Sequence, residues 1–384
     1  MADLTDVNPD ELRGFAPLVG RAANDLSTLS AFAGGTCAKT NGLKGLLGVF
    51  RTPVELTAEA NEALLGKAND SLWDTKHSIT DAADDAESAD AATAAQVGDV
   101  FPDAPPFFIE YTGGGTRYGY ADAGNPDPNR PETSVDEITA DGIDPGGIVG
   151  LVDEIWEMAT GESLVSSIIE PIVGKPGRLQ WLSKAYDELS DATYQVAWNL
   201  RSGTMNVAPY WNGDSGRAFE LHMFRWHMGL GGLGDVQHLI SKVLHDAYEF
   251  ITDAINVVVT LISELLEKLA VIATKRLAPG WAWVVTTLDI LTGEVWRDIQ
   301  RLIGAWEYIK EKIQELRDFC DDVIGDIAAA RGAVELILDG LSDRDLTGTL
   351  RDLVNYAQEI TYNIEDDRDW DATAGAARVT VLPI

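Results

Sequence analysis

Residues 213–216 read Gly-Asp-Ser-Gly, the sequence that surrounds the nucleophile in one class of serine proteases. That chemistry needs a histidine base, an aspartate that orients it and a β-barrel that holds the three together. Strand patterns are scarce throughout this chain. The tetrapeptide stands just before a helical pattern, where Asp214 or Ser215 can accept hydrogen bonds from the first free backbone amides. We therefore interpret it as a helix cap rather than a catalytic serine.

The glycines at positions 229, 231 and 234 have the GxGxxG spacing of a dinucleotide-binding loop. Such a loop must connect a strand to a helix, so that amides at the helix start meet the pyrophosphate. Residues 219–228, which precede the glycines, have a helical pattern instead. We interpret the glycines as a hinge or a close-packing point between two helices.

Four of the five histidines lie between positions 222 and 245. His222 and His227 are five residues apart, whereas two metal ligands on one helix face need a spacing of four. His238 and His245 share a face but lie roughly 10.5 Å apart along the axis, which is too far for one metal ion. No catalytic, cofactor or metal site is predicted, so we expect a protein that is not an enzyme and has no cofactor.

Trp211-Asn212-Gly213 lies in a break between two amphipathic helices. A tryptophan at such a turn can close the open end of a helix pair, and a glycine lets the backbone reverse direction. The motif resembles that of the WXG superfamily, the substrates of type VII (ESX) secretion systems in actinobacteria and their relatives. The resemblance covers roughly residues 160–275 and places Trp211 and Gly213 at the two defining positions of the motif.

The resemblance implies a route of export and a binding partner for the protein. Members of that family leave the cell folded, usually as helical dimers or pseudo-dimers, which implies a secretion machinery as partner. Their export signal pairs the turn with a Tyr-x-x-x-Asp/Glu motif beyond a helix. Two matches are present, Tyr362 with Asp366 after the last predicted helix and Tyr118 with Asp122 in a glycine-rich loop. Tyr362 has the better context, because it follows a helix near the chain end.

A pair of helices is predicted at the start of the chain. Residues 1–98 are predicted to form a helical hairpin, because Asn8-Pro9 supplies a cap and a first-turn proline. Apolar residues from Leu12 to Leu29 then repeat at helical spacing, and Gly34-Gly35 is predicted to end the first helix. The hairpin resembles a degenerate second WXG copy without the Trp-x-Gly turn, so that one chain can form its own pseudo-dimer.

The rest of the chain divides into three further parts. Residues 99–147 are rich in glycine and proline, which predicts a linker or a surface loop. Residues 148–340 are predicted to form a long helical bundle that contains the Trp-x-Gly turn. Residues 341–384 form a polar tail with one short helix. The predicted fold is all-α, with elongated helical bundles built from antiparallel hairpins and an irregular glycine- and proline-rich segment between them.

The long helices carry apolar residues on more than one face, which a single antiparallel partner cannot cover. The N-terminal hairpin or another subunit must cover the remainder. Trp281 and Trp283 are predicted to lie at the tip of a hairpin and are candidates for an oligomer interface, since large aromatic residues concentrate binding energy. We expect self-association or a helical partner protein, with association that tightens as salt screens the charge.

The composition excludes several kinds of partner. The chain of 384 residues has 29 Lys and Arg against 62 Asp and Glu, a net charge of −33. So acidic a surface repels nucleic acids and anionic membranes. The most apolar stretch, 254–273, is interrupted by two glutamates and a lysine, which argues against a transmembrane span. Cys37 and Cys320 are too few for a disulfide framework or a thiolate metal site.

Three functions follow from these features. The first is a non-enzymatic type VII substrate, made in the cytoplasm and secreted or displayed on the cell surface without a Sec signal peptide. Its role is then structural, oligomeric or envelope-associated. The second is a trafficking module that delivers a toxin, which needs a further domain of about 100 residues, whereas the tail after residue 340 is far shorter. The third is an intracellular coiled-coil scaffold, in which Trp211 has no export role.

Overall fold

The computed structural model describes residues 7–100, 119–132 and 174–276, with single residues between 157 and 163 and between 311 and 332. Four long helices make up most of these residues: α1 (Pro9–Phe32), α2 (Arg51–Val100), α3 (Gly177–Val207) and α4 (Gly213–Arg276). The helices form packed pairs, and the described residues contain no β-strand. The predicted all-α fold is therefore confirmed. The division at residues 98, 147 and 340 stays a prediction.

The first helix begins where its sequence predicts. The Asn8 side-chain oxygen accepts hydrogen bonds from the amides of Asp10, at 3.1 Å, and Glu11, at 3.4 Å. Two of the free amides of the first turn are thereby satisfied. The helix does not end at Gly34-Gly35, because it continues as a π-helix from Ala33 to Cys37. Ala33 and Cys37 are both fully buried, and this packing outweighs the local preference of glycine to break a helix.

The two hairpins share one core rather than standing apart. Helix α1 packs against α2 and also against α3. Phe15 of α1 is fully buried, and its ring meets Phe219 of α4 edge-on with ring centroids 5.8 Å apart. A Cβ atom on Gly203 of α3 would lie 2.8 Å from the Phe15 ring, so the Phe15 side chain packs directly against the backbone of α3 at this glycine. The N-terminal hairpin thus covers an apolar face of the second one.

Helix α4 continues without a break through the glycines at 229–234. A Cβ atom on Gly234 would lie 2.9 Å from the Tyr194 ring of α3. The Gly234 carbonyl oxygen accepts a hydrogen bond from Ser190 Oγ at 2.9 Å. At Gly234 the structure therefore supports close packing between helices rather than a hinge, whereas a Cβ atom on Gly229 would meet nothing within 4 Å.

A buried polar contact ties α2 to α4. The side-chain nitrogen of Gln237 donates a hydrogen bond to the side-chain oxygen of Asn61 at 3.1 Å, although the two residues are 176 apart in the chain. Asn61 in turn donates to the Thr57 carbonyl oxygen at 2.9 Å. Asn61 and Gln237 are both fully buried. A hydrogen bond between two buried amides is satisfied in one register only, so it fixes how α4 sits along α2.

Residues 119–132 form an extended segment, here called the strap, that crosses α1 and α3. Asn199 of α3 holds it with three hydrogen bonds: its side-chain oxygen accepts from the amides of Ala123 and Gly124, and its side-chain nitrogen donates to the Gly124 carbonyl oxygen. The Tyr120 hydroxyl donates to buried Glu11 at 2.7 Å. The described part of the glycine- and proline-rich region is thus held against the bundle.

Asp25 of α1 faces the strap across a cleft of about 590 Å³ that Arg21 and Asp122 also line. Burial, followed by the nearby charge of Asp122, raises the pKa of Asp25 from its ordinary 3.8 to about 6, although Arg21 opposes the shift. The folded protein therefore holds this proton more tightly than the unfolded chain does. The stability that the proton confers is complete below about pH 4 and is lost as the pH rises through about 6.

Asp25→Asn is expected to raise the melting temperature at about pH 7, where the wild-type carboxylate is charged, and to have little effect at about pH 4. Thermal unfolding followed by circular dichroism at both pH values measures the difference. Asp81→Asn, at an exposed position of α2, is the matched control. Equal gains for Asp25→Asn at the two pH values would contradict the origin assigned to the effect.

Candidate functional site

The Trp-x-Gly turn connects α3 to α4 in very few residues. After α3 ends at Val207, a 3-10 turn covers Ala208–Tyr210, and α4 begins at Gly213. The Trp211 amide donates to the Ala208 carbonyl oxygen at 3.2 Å. Gly213 has φ +86°, a region where an L side chain is strained and glycine is not. The glycine of the motif is therefore required by the backbone itself.

The Trp211 side chain lies over the first two turns of α4. Its indole nitrogen donates a hydrogen bond to Ser215 Oγ at 2.9 Å. Its ring stacks on buried Phe219, with centroids 4.7 Å apart and planes 22° from parallel. The indole thus closes the end of the α3–α4 pair. Because α4 begins at Gly213, Ser215 lies within its first turn and anchors the indole instead of capping the helix.

The start of α1 holds the same turn from the other side. Val7 and Trp211 form an isolated antiparallel β-bridge. The Asn8 amide donates to the Tyr210 carbonyl oxygen at 2.9 Å, while the Asn8 side chain caps α1. One residue thus joins the cap of α1 to the backbone of the turn. Sequence analysis missed this contact, because nothing in the local pattern around Asn8 indicates so distant a partner.

Of the other residues proposed for export, the structure describes only Asp122. Asp122 lies on the strap, where its Oδ2 accepts from Arg21 Nε at 2.8 Å. The structure therefore assigns Asp122 to an ion pair with α1 and does not bring it to the Trp211 turn. Five other predicted residues lie outside the described residues: Tyr118, Tyr362, Asp366, Trp281 and Trp283.

The histidines of α4 face separate partners. His227 is buried and lies within 3.3 Å of both Arg201 and the Ala197 carbonyl oxygen, and burial lowers its pKa. His238 pairs with Asp187 at 3.1 Å. Within the described ranges, no three histidine, cysteine, aspartate or glutamate side chains gather as metal ligands do. His227 and His238 thus connect α4 to α3.

In the part of the chain that the structure describes, no helix has an apolar stretch long enough to cross a membrane. No protein-family model, no curated protein and no solved structure matches this sequence.

Proposed function

We propose that this protein is a non-enzymatic substrate of a type VII (ESX-like) secretion system, exported as a folded helical protein. Its role after export is structural, oligomeric or envelope-associated. The observation that carries the proposal is the turn Trp211-Asn212-Gly213, which joins two long packed helices at a glycine with φ +86°. A secretion machinery is the partner that would recognise this turn.

The rigidity of the turn supports recognition by a partner. The indole is fixed by Ser215 and Phe219, and the backbone is fixed by Val7 and Asn8. A partner that binds a fixed turn does not have to order it, so less of the binding energy is lost to conformational entropy. An export machinery can therefore distinguish the folded chain from an unfolded one at this position.

The packing of α1 on α3 supports the pseudo-dimer part of the proposal. In the proposal, the N-terminal hairpin takes the part of the separate helical partner that dimeric members of that family have. Phe15, Gly203 and Phe219 contribute to this contact, one from each of three helices. In the proposal, Tyr362 and Asp366 complete the export signal, and Trp281 and Trp283 contribute to an oligomer.

Cell fractionation tests the proposal directly. The full chain is expressed in an actinobacterial host with an intact type VII system and in the same host without the export ATPase of that system. We expect the protein in the medium or the envelope fraction of the first strain only, with a cytoplasmic enzyme as the lysis marker. Equal amounts outside both strains, or none outside either, would contradict the proposal.

A further inference from the structure

A cluster of positive charges lies at the end of the bundle that is remote from the Trp211 turn. Three cations from three separate segments surround the Trp181 ring: Arg178 at 4.8 Å, Arg130 at 5.8 Å and Lys39 at 6.0 Å from its centroid. Lys39 follows the π-helix, Arg130 belongs to the strap and Arg178 lies in the first turn of α3. We call these three residues and Trp181 the cationic cluster.

Among the described residues, no carboxylate balances the charge of this cluster. Among the residues that the structure describes, no carboxylate oxygen lies within 4.0 Å of a charged nitrogen of Lys39, Arg130 or Arg178, whereas Arg13 and Arg21 of α1 both form such pairs. The chain has 62 acidic residues for 29 basic ones. Among the described residues, three cations around one ring thus lack an acidic partner, which is unexpected in this composition and favours binding of an external anion.

Hydrogen bonds hold two members of the cluster, Arg178 and Trp181, in place before any anion binds. Arg178 Nε donates to the Asn41 carbonyl oxygen at 3.0 Å. The Trp181 indole nitrogen donates to the Pro131 carbonyl oxygen at 2.9 Å, which fixes the strap next to Arg130. Trp181 itself is only 3 % exposed. Because these contacts hold the Arg178 guanidinium and the strap backbone next to Arg130, less conformational entropy is lost when the cluster binds a ligand.

The cations also act on one another. Burial, and then the charge of Arg130, lower the pKa of Arg178. Mutual repulsion of this kind is an unfavourable contribution that a bound anion would relieve. Contact of the cations with the face of Trp181 offsets part of it, since a cation over an indole gains about 0.5–2 kcal/mol.

From this geometry we propose that Lys39, Arg130 and Arg178 bind a phosphate group. Planar guanidinium groups donate paired hydrogen bonds that match a phosphate, and two arginines with a lysine can neutralise its two negative charges. A net charge of −33 on the chain repels long polyanions more strongly than a small doubly charged ligand. The ligand is therefore inorganic phosphate or a small phosphate monoester.

The test uses the full chain and titrates inorganic phosphate at constant ionic strength, with binding followed by calorimetry and phosphorus NMR. We expect saturable binding with a dissociation constant on the order of 1 mM or tighter. Arg130→Gln removes an exposed guanidinium and is expected to weaken binding about tenfold. Arg178→Lys keeps the charge but loses the planar fork, and is also expected to weaken it.

Arg217→Gln is the matched control, because it removes the same charge from the first turns of α4, at the Trp211 end of the bundle. It should leave phosphate binding unchanged. A second titration with glycerol phosphate distinguishes the two candidate ligands. If glycerol phosphate binds as tightly as inorganic phosphate, the ligand is a phosphate monoester. If glycerol phosphate does not bind, the ligand is free phosphate. The proposal is overturned by absence of saturable binding, by equal weakening in Arg130→Gln and Arg217→Gln, or by tighter binding of a polyglutamate peptide than of phosphate.

Discussion

Trp211→Ala is expected to lower the exported fraction of the protein at least about tenfold while the chain stays helical. A buried or half-buried tryptophan at a recognition site is commonly worth about 2 kcal/mol or more, and each 1.4 kcal/mol corresponds to about a tenfold change in binding. The helices should survive, because Trp211 lies at the end of the α3–α4 pair and its side chain contacts Ser215 and Phe219 in the first turns of α4. The amount of protein outside the cell and the far-ultraviolet circular dichroism measure the two effects.

Trp198→Ala is the control for this variant. Trp198 lies on α3 of the same hairpin and is 46 % exposed, so its removal should leave export unchanged.

Gly213→Ala should act in the same direction as Trp211→Ala, because a side chain at φ +86° costs about 1–2 kcal/mol and moves the turn. Substitution of Tyr362 or Asp366 is expected to lower export as well. Normal export of Trp211→Ala together with normal export of the Tyr362 variant would refute the proposed function.

Phe15→Ala is expected to destabilise the protein by about 3–5 kcal/mol, the cost of deleting a fully buried aromatic ring. Its ring contacts the rings of Phe219 and Tyr120 and fills the space above Gly203. The cavity left by the deleted ring therefore lies where α1, α3, α4 and the strap meet. A shift of any one of these elements is not enough to fill it. Urea unfolding should show a lower midpoint with an unchanged slope.

Phe224→Ala is the matched control, because the Phe224 ring of α4 is 57 % exposed. It should change the free energy of unfolding by no more than about 0.5 kcal/mol, as exposed substitutions usually do. A loss in Phe15→Ala no larger than the loss in Phe224→Ala would show that the two hairpins do not share a core in solution.

Local sequence signals predicted the elements well. Asn8-Pro9 marks the start of α1, and the helical repeat that follows it runs into the core. The position of the turn at Trp211 and the need for glycine at 213 also followed from residues that are neighbours in the sequence. Such features depend on capping and backbone strain, which are determined within a few residues.

Features that depend on distant residues were not predictable in the same way. Gly34-Gly35 does not end the first helix, because the burial of Cys37 among other segments extends it. The bridge between Val7 and Trp211 and the attachment of the strap to Asn199 both join residues far apart in sequence. No periodicity or motif indicates such pairs in a single sequence. The cationic cluster was missed for the same reason, since its members come from three segments.

The buried hydrogen bond between Asn61 and Gln237 has a consequence for how the chain is made. The two residues are 176 apart, and at about 5–20 residues per second a ribosome needs roughly 10–35 s to pass from one to the other. Through that interval the Asn61 side-chain oxygen lacks its native partner, and burying it alone would cost about 1–3 kcal/mol. While the chain is being synthesised, the face of α2 that carries Asn61 must therefore stay hydrated until α4 has left the ribosome. The complete fold can therefore form no earlier than roughly 10–35 s after Asn61 has been synthesised.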